Sequence, residues 1–121
     1  MKVLIVEDSK ATRELLSTTV QTIVGVEVVC AISGFDALKV LPKHRFELII
    51  TDINMPDING LELINFVKKN PNYREVPLFV VTTEGRDQDR DRGLALGASE
   101  YLVKPFASEA LIALVKQYLK L

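Results

Sequence analysis

The sequence predicts an α/β protein, a doubly wound (βα)₅ domain built on a five-stranded parallel sheet. Three observations carry this. Five apolar runs alternate with helical patterns along the 121 residues. The runs are apolar on successive residues rather than on alternate ones, the pattern of parallel strands buried on both faces. Finally, four of them end in a charged or reactive side chain: residues 3–6 run into Glu7 and Asp8, 46–51 into Asp52, 78–81 into Thr82, and 101–103 into Lys104.

Taken in order, strands are expected at 2–6, 26–31, 46–51, 77–82 and 99–103, and helices at 9–23, 34–41, 60–69, 87–96 and 107–120. Ser9 and Ser108 stand where N-caps belong, because a hydroxyl can accept from the free amides of a first helical turn. Pro42 and Pro71 fall where helices should stop, and Asn59-Gly60 is a turn signal. An unbroken βα alternation implies right-handed crossovers with helices on both sheet faces. No linker, repeat or low-complexity tract interrupts it, so residues 1–121 read as one domain.

The segment 86–92, Arg-Asp-Gln-Asp-Arg-Asp-Arg, reads as a solvated helix face laced with local ion pairs. Only Leu94, Ala95 and Leu96 offer apolar grip there, so this fourth helix is expected to be weakly held, as elements recruited into switches often are.

Composition excludes several function classes. With 15 basic and 16 acidic residues the net charge is −1, which gives no basic face for nucleic acid. No apolar run approaches the roughly 20 residues of a membrane span, and the start is too short for a signal peptide. The one cysteine, Cys30, cannot form an internal disulfide. This fits a reducing, cytoplasmic setting. Cys30 itself is expected to be a buried, inert thiol. His44, in a polar connection, is expected to be exposed and without metal-binding neighbours. On the last helix Leu111, Leu114, Val115 and Tyr118 are expected to face the sheet, with Ile112 and Leu119 projecting elsewhere.

In an open α/β sheet, ligands bind beyond the carboxyl ends of the strands. Glu7, Asp8 and Asp52 would converge there. Crowded carboxylates repel, and a hard divalent cation such as Mg²⁺ relieves this through carboxylate oxygens, a carbonyl and water. A carboxylate can also act as nucleophile and carry a phosphoryl group as an acyl phosphate. Lys104 and the Thr82 hydroxyl could then meet the charge on the transferring group's oxygens.

Together, Glu7-Asp8, Asp52, Thr82 and Lys104-Pro105 resemble the site of the receiver domain of two-component response regulators, in its CheY-like form. The stretches 6–9, 51–56, 97–99 and 104–106 fit as well, so the resemblance covers the whole chain. It implies the flavodoxin-like strand order 2-1-3-4-5. It implies that Asp52 takes a phosphoryl group from the phosphohistidine of a histidine kinase. Asp8, Asp52 and the Asn54 backbone carbonyl would bind Mg²⁺, Glu7 would hold a metal-bound water, and Lys104–Pro105 would be a cis peptide. In such proteins the residues at the positions of Thr82 and Tyr101 relay phosphorylation to a partner face made of the fourth helix, fifth strand and fifth helix. Asn54 and Glu84 stand at the positions that tune phosphate lifetime, and imply self-dephosphorylation. Thr83 departs from the small residue usual there and would narrow the entrance.

The expected output is contact with a protein partner of chemotaxis or motility type, by a monomer or a phosphorylation-dependent dimer, with no catalysis on external substrates. The alternatives are a receiver fragment of a hybrid kinase or larger regulator, and a non-phosphorylated scaffold. Two other classes fit less well. A flavin mononucleotide module would not put Glu7 and Asp8 where a dianion sits. A phosphatase of the haloacid dehalogenase type would carry its nucleophile on the first strand.

Overall fold

The structure, a computed structural model, describes residues 1–121. Its elements run β1 (Lys2–Val6), α1 (Lys10–Gln21), β2 (Glu27–Ala31), α2 (Gly34–Val40), β3 (Leu48–Thr51), α3 (Gly60–Lys69), β4 (Leu78–Thr82), α4 (Asp87–Leu96), β5 (Glu100–Val103) and α5 (Ser108–Leu119). All strand pairings are parallel and the spatial order is β2-β1-β3-β4-β5. The expected fold class and strand order are therefore found.

The apolar runs divide by position in the sheet. The central strands β1, β3 and β4 are buried almost throughout, whereas the edge strands β2 and β5 are largely half-exposed. Alternate residues feed two cores. Val3, Ile5, Leu48, Ile50, Phe79 and Val81 meet α1 and α5, while Leu4, Val6, Ile49, Leu78 and Val80 meet α2 and α3. Each such fully buried side chain contributes about 1.5–3 kcal/mol of transfer free energy.

Several local expectations change. Ser9 caps α1, accepting from the Thr12 amide at 3.4 Å. Ser108 does not cap α5; it is the first helical residue, and Ala107 precedes it without a side-chain cap. Asn59 caps α3 by accepting from the Glu62 amide, so the Asn-Gly pair opens a helix rather than merely turning the chain. Helix α2 ends at Val40, and Pro42 sits in a 3₁₀ turn over Leu41–Lys43. Strand β3 starts at Leu48, two residues late, because Phe46 is drawn into the core beside Leu41.

Cys30 is exposed rather than buried, because β2 is an edge strand and residue 30 faces away from the core. His44 is half-buried: its ring packs 5.5 Å from that of Phe46, and Lys2 Nζ lies 3.0 Å from its Nδ1. Leu119 is buried, since 111, 115 and 119 repeat at helical spacing, and Ile112 is half-buried against the same core. In α4, Leu94 and Ala95 are exposed, and the one buried residue is Gly93.

The join between β3 and α3 is the tightest point. The Gly60 amide donates to the Ile53 carbonyl at 2.7 Å. A Cβ at residue 60 would lie 2.1 Å from the Asp52 carbonyl oxygen and 2.7 Å from the Ile53 Cα. Both obstacles are backbone and cannot rotate away. Gly60→Ala is therefore expected to lower stability by about 1–3 kcal/mol, read as a reduced urea midpoint at unchanged m-value. An unchanged midpoint would mean that the loop after Asp52 moves freely.

Candidate functional site

Parallel pairing continues one residue past three strands and fixes where the polar side chains emerge. The Glu7 amide donates to the Ala31 carbonyl, the Asp52 amide to that of Val6, and the Lys104 amide to that of Thr82. Glu7, Asp52, Thr82 and Lys104 thus reach the same end of the sheet. A separate cavity of about 580 Å³, lined partly by Phe46, Tyr73 and Tyr118, lies around the other end.

Lys104 is the centre of the cluster. Its ammonium donates to Glu7 Oε1 at 2.7 Å and to Asp52 Oδ2 at 3.0 Å. Both acids are buried, with 1% and 7% of their surfaces exposed. Asp52 Oδ1 accepts from the amides of Ile53 at 2.6 Å and Asn54 at 3.1 Å. Glu7 Oε2 accepts from the Ser9 amide at 3.1 Å.

These contacts set the two acids apart. Burial pushes the Asp52 carboxyl up, but hydrogen bonds from the Thr82 hydroxyl, Lys104 and the Asn54 amide outweigh it and hold Asp52 below the usual carboxylate range. For Glu7, burial prevails over the bonds from Lys104 and Ser9, and the Asp52 charge adds to it, so its carboxyl lies above that range. Lys104 is pushed down by burial and raised further by its two acids, and ends above an ordinary lysine. The result is one ionised, fixed carboxylate beside a firmly charged ammonium, a suitable arrangement for a nucleophile that receives an anionic group.

The expected acids do not all meet. Asp8 is exposed at the rim, and no three acids, histidines or cysteines are gathered around one point as a formed metal site. The donors are nevertheless hard oxygens of the kind Mg²⁺ takes, from Glu7, Asp8, Asp52 and the Asn54 carbonyl.

Around Thr82 lies a connected set. The Glu84 amide donates to Thr82 Oγ at 3.3 Å, the Tyr101 hydroxyl donates to the Glu84 carbonyl at 2.6 Å, and the Asn54 side-chain amide donates to Glu84 Oε1 at 2.9 Å. Tyr101 is half-buried with its hydroxyl bonded rather than wet. Thr83 is exposed at the start of the β4–α4 loop. The Lys104–Pro105 peptide is cis.

Two residues escaped the sequence reading. Arg13 on α1 donates to the carbonyls of Glu7 at 2.9 Å and Asp8 at 3.4 Å; a basic residue one turn into the helix after an acid pair was the available signal. The Asp57 carboxylate receives the Gly34 and Phe35 amides from α2, a pairing that sequence spacing does not reveal.

A sequence model of the response regulator receiver domain matches residues 3–116. The chain belongs to the receiver domain family. This receiver is 37% identical over 112 residues to a chemotaxis protein CheY homolog of Campylobacter jejuni, covering 92% of the chain and 86% of the relative. It is 31% identical to the protein PilG of Pseudomonas aeruginosa, over 98% of the chain and 87% of PilG. The solved structure of the chemotaxis response regulator CheY4 of Vibrio cholerae superposes with a TM-score of 0.87, at 38% identity and over 97% of both chains. The fold and family are those of two-component signalling receivers, CheY-like in form. No helix is long and apolar enough to cross a membrane.

Removing the cation should unbalance the acids. In Lys104→Met, the Asp52 titration midpoint followed by carboxyl NMR is expected to rise, since burial remains and one hydrogen bond and one positive charge are lost. A midpoint that stays or falls would show that Lys104 does not govern this carboxylate.

Proposed function

We propose that the protein is a phosphorylation-driven switch in which Asp52 is the phosphoacceptor. The observation that carries this is Lys104 bonded to the buried Asp52 and Glu7 carboxylates, with the buried Thr82 at the end of the neighbouring strand.

The donor is a phosphohistidine of a histidine kinase or phosphotransfer domain. An Asp52 oxygen attacks phosphorus and forms a P–O bond. The P–N bond breaks, and its electron pair leaves with the imidazole. Lys104 and the Thr82 hydroxyl bind the oxygens of the arriving group, while the Ile53 and Asn54 amides hold the carboxyl in place. Glu7, Asp8, Asp52 and the Asn54 carbonyl would hold Mg²⁺, which supplies further neutralisation of phosphoryl charge. Water later hydrolyses the acyl phosphate, and Asn54 and Glu84 at the mouth position that water, with Thr83 limiting access.

Thr82 and Tyr101 couple the site to the face of α4, β5 and α5, where a downstream protein binds. The similarity to CheY and PilG proteins supports a chemotaxis or motility output. Composition supports a single cytoplasmic domain that binds neither nucleic acid nor membrane, catalyses only its own phosphorylation and dephosphorylation, and acts as a monomer or phosphorylation-dependent dimer.

Acid-quenched intact mass after incubation with acetyl phosphate and Mg²⁺ tests the acceptor. One phosphoryl increment is expected, absent in Asp52→Asn and with EDTA. An increment that survives either control contradicts the proposal. For the switch, phosphorylated Thr82→Ala is expected to give smaller amide NMR shifts along α4 and β5 than phosphorylated wild type. Equal shifts would remove Thr82 from the relay.

A further inference from the structure

The acceptor carboxylate sits at the start of the loop between β3 and α3. This loop also carries the two amides that fix Asp52 Oδ1 and the Asn54 side chain that meets Glu84. Its far end is pinned by the Gly60 amide on the Ile53 carbonyl. What holds its middle is Asp57.

Asp57 is exposed, yet its carboxylate is ringed by donors. Oδ1 accepts from the Ile58 amide at 2.7 Å and the Gly34 amide at 3.1 Å, and Oδ2 from the Phe35 amide at 2.9 Å. Burial pushes this carboxyl up, but the Phe35 and Ile58 amides, the Ser33 hydroxyl and the Gly34 amide together outweigh it and bring it down to about 2. Gly34 and Phe35 form the first turn of α2, which already has a cap of its own: Ser33 accepts from the Asp36 amide. Asp57 therefore takes amides left over by that cap and joins α2 to the acceptor loop.

The seam is too close for any side chain on the helix. A Cβ at Gly34 would lie 2.7 Å from Ile58 Cβ and 2.8 Å from the Ile58 carbonyl oxygen. Between Asp57 and Asn54 the chain is stiff as well. Pro56 has a fixed φ and restricts Met55, and Met55 is itself buried. A shift of residue 57 would thus be passed to Asn54 rather than absorbed on the way.

We propose that Asp57 is a positioning residue for the phosphoacceptor site, bracing the β3–α3 loop against α2 so that the Ile53 and Asn54 backbone keeps its place beside Asp52. This rests on the reading of Asp52 as acceptor.

The test compares wild type with Asp57→Asn, Asp57→Ala and an exposed control, Glu109→Gln. Three quantities are measured at 25 °C: the Mg²⁺ dissociation constant by titration with the metal alone, the rate of Asp52 phosphorylation by acetyl phosphate, and the urea midpoint. Loss of an outer-shell support commonly weakens metal binding by about tenfold or more. Asp57→Ala is expected to reach about that factor in Mg²⁺ affinity, with slower phosphorylation and displaced Ile53 and Asn54 amide signals. Asp57→Asn should fall between, and the control should match wild type.

A folded Asp57→Ala protein with a lower urea midpoint but wild-type Mg²⁺ affinity would overturn the proposal and leave Asp57 a staple for α2. If Asp57→Ala does not fold, Asp57→Asn carries the same comparison. If wild type is not phosphorylated at all, the acceptor reading fails, and the Mg²⁺ titration still decides the role of Asp57. The brace is also expected to weaken in acid. With a folded value of about 2 and an unfolded one of about 3.9, its stabilisation is present above the unfolded value and is lost as pH falls through the folded one. An Asp57 midpoint near the unfolded value in wild type would refute the brace itself.

Discussion

Two buried carboxylates on neighbouring strands cannot both stay ionised without a cation between them, and the site depends on Lys104 to supply it. At an effective dielectric of about 20, two charges 4 Å apart interact by about 4 kcal/mol. The ammonium offsets that repulsion by its attraction to both acids. The topology makes the demand specific. Lys104 follows β5, while Asp52 follows β3 and Glu7 follows β1, so the amine must cross the end of β4. With strands about 4.8 Å apart, that is a reach of roughly 10 Å from β5 to β3, shared between a long side chain and the path of the loop. The residue it crosses is Thr82, whose short side chain leaves room and whose hydroxyl helps hold the Asp52 carboxyl below its usual range.

The same crossing ties the acid site to the surface. Thr82 accepts from the Glu84 amide, and the Glu84 carbonyl accepts from Tyr101. A new demand on the Thr82 hydroxyl at Asp52 therefore bears on the backbone of Glu84, and through it on the tyrosine. Glu84 also holds the Asn54 side chain, so one residue joins the mouth of the site, Thr82 and the aromatic ring. Such a chain responds as a unit, because each bond orients the donor or acceptor of the next.

Legibility in the sequence followed range. The central strands were readable because burial on both faces leaves continuous apolar runs, and the polar residues at their ends were readable because they interrupt those runs. The edge strands carry less of this signal, which is why Cys30 was placed in the core when it faces out. In α4 the expected grip is only partly realised: Leu96 packs against the core, Leu94 and Ala95 are exposed, and the buried contact is Gly93, which a hydropathy pattern cannot weight. Asp57 was invisible because its partners lie 22 and 23 positions away on α2, and nothing local in Pro-Asp-Ile distinguishes a brace from a solvated turn. The exposure of Asp8 beside the buried Glu7 was likewise beyond spacing, since consecutive residues at a strand exit point in different directions.

The weak hold of α4 matters to the proposed switch because of what it leaves out of the energy balance. A conformational change from about 1:99 to 99:1 requires on the order of 5.5 kcal/mol of differential binding. Were α4 anchored by large buried side chains, each would add about 1.5–3 kcal/mol to be lost or recovered on moving. Gly93 is the one buried residue on this helix, and it faces the Tyr101 ring, where even an added Cβ would make only ordinary contact at 3.4 Å. At this contact the ring and the helix can therefore re-seat with little change in buried apolar area, the partly buried Leu96 being the apolar hold that α4 keeps. In the proposed switch, what distinguishes the two states is then mainly polar: the bonds among Thr82, Glu84 and Tyr101. Those are the bonds that a phosphoryl group on Asp52 is placed to alter.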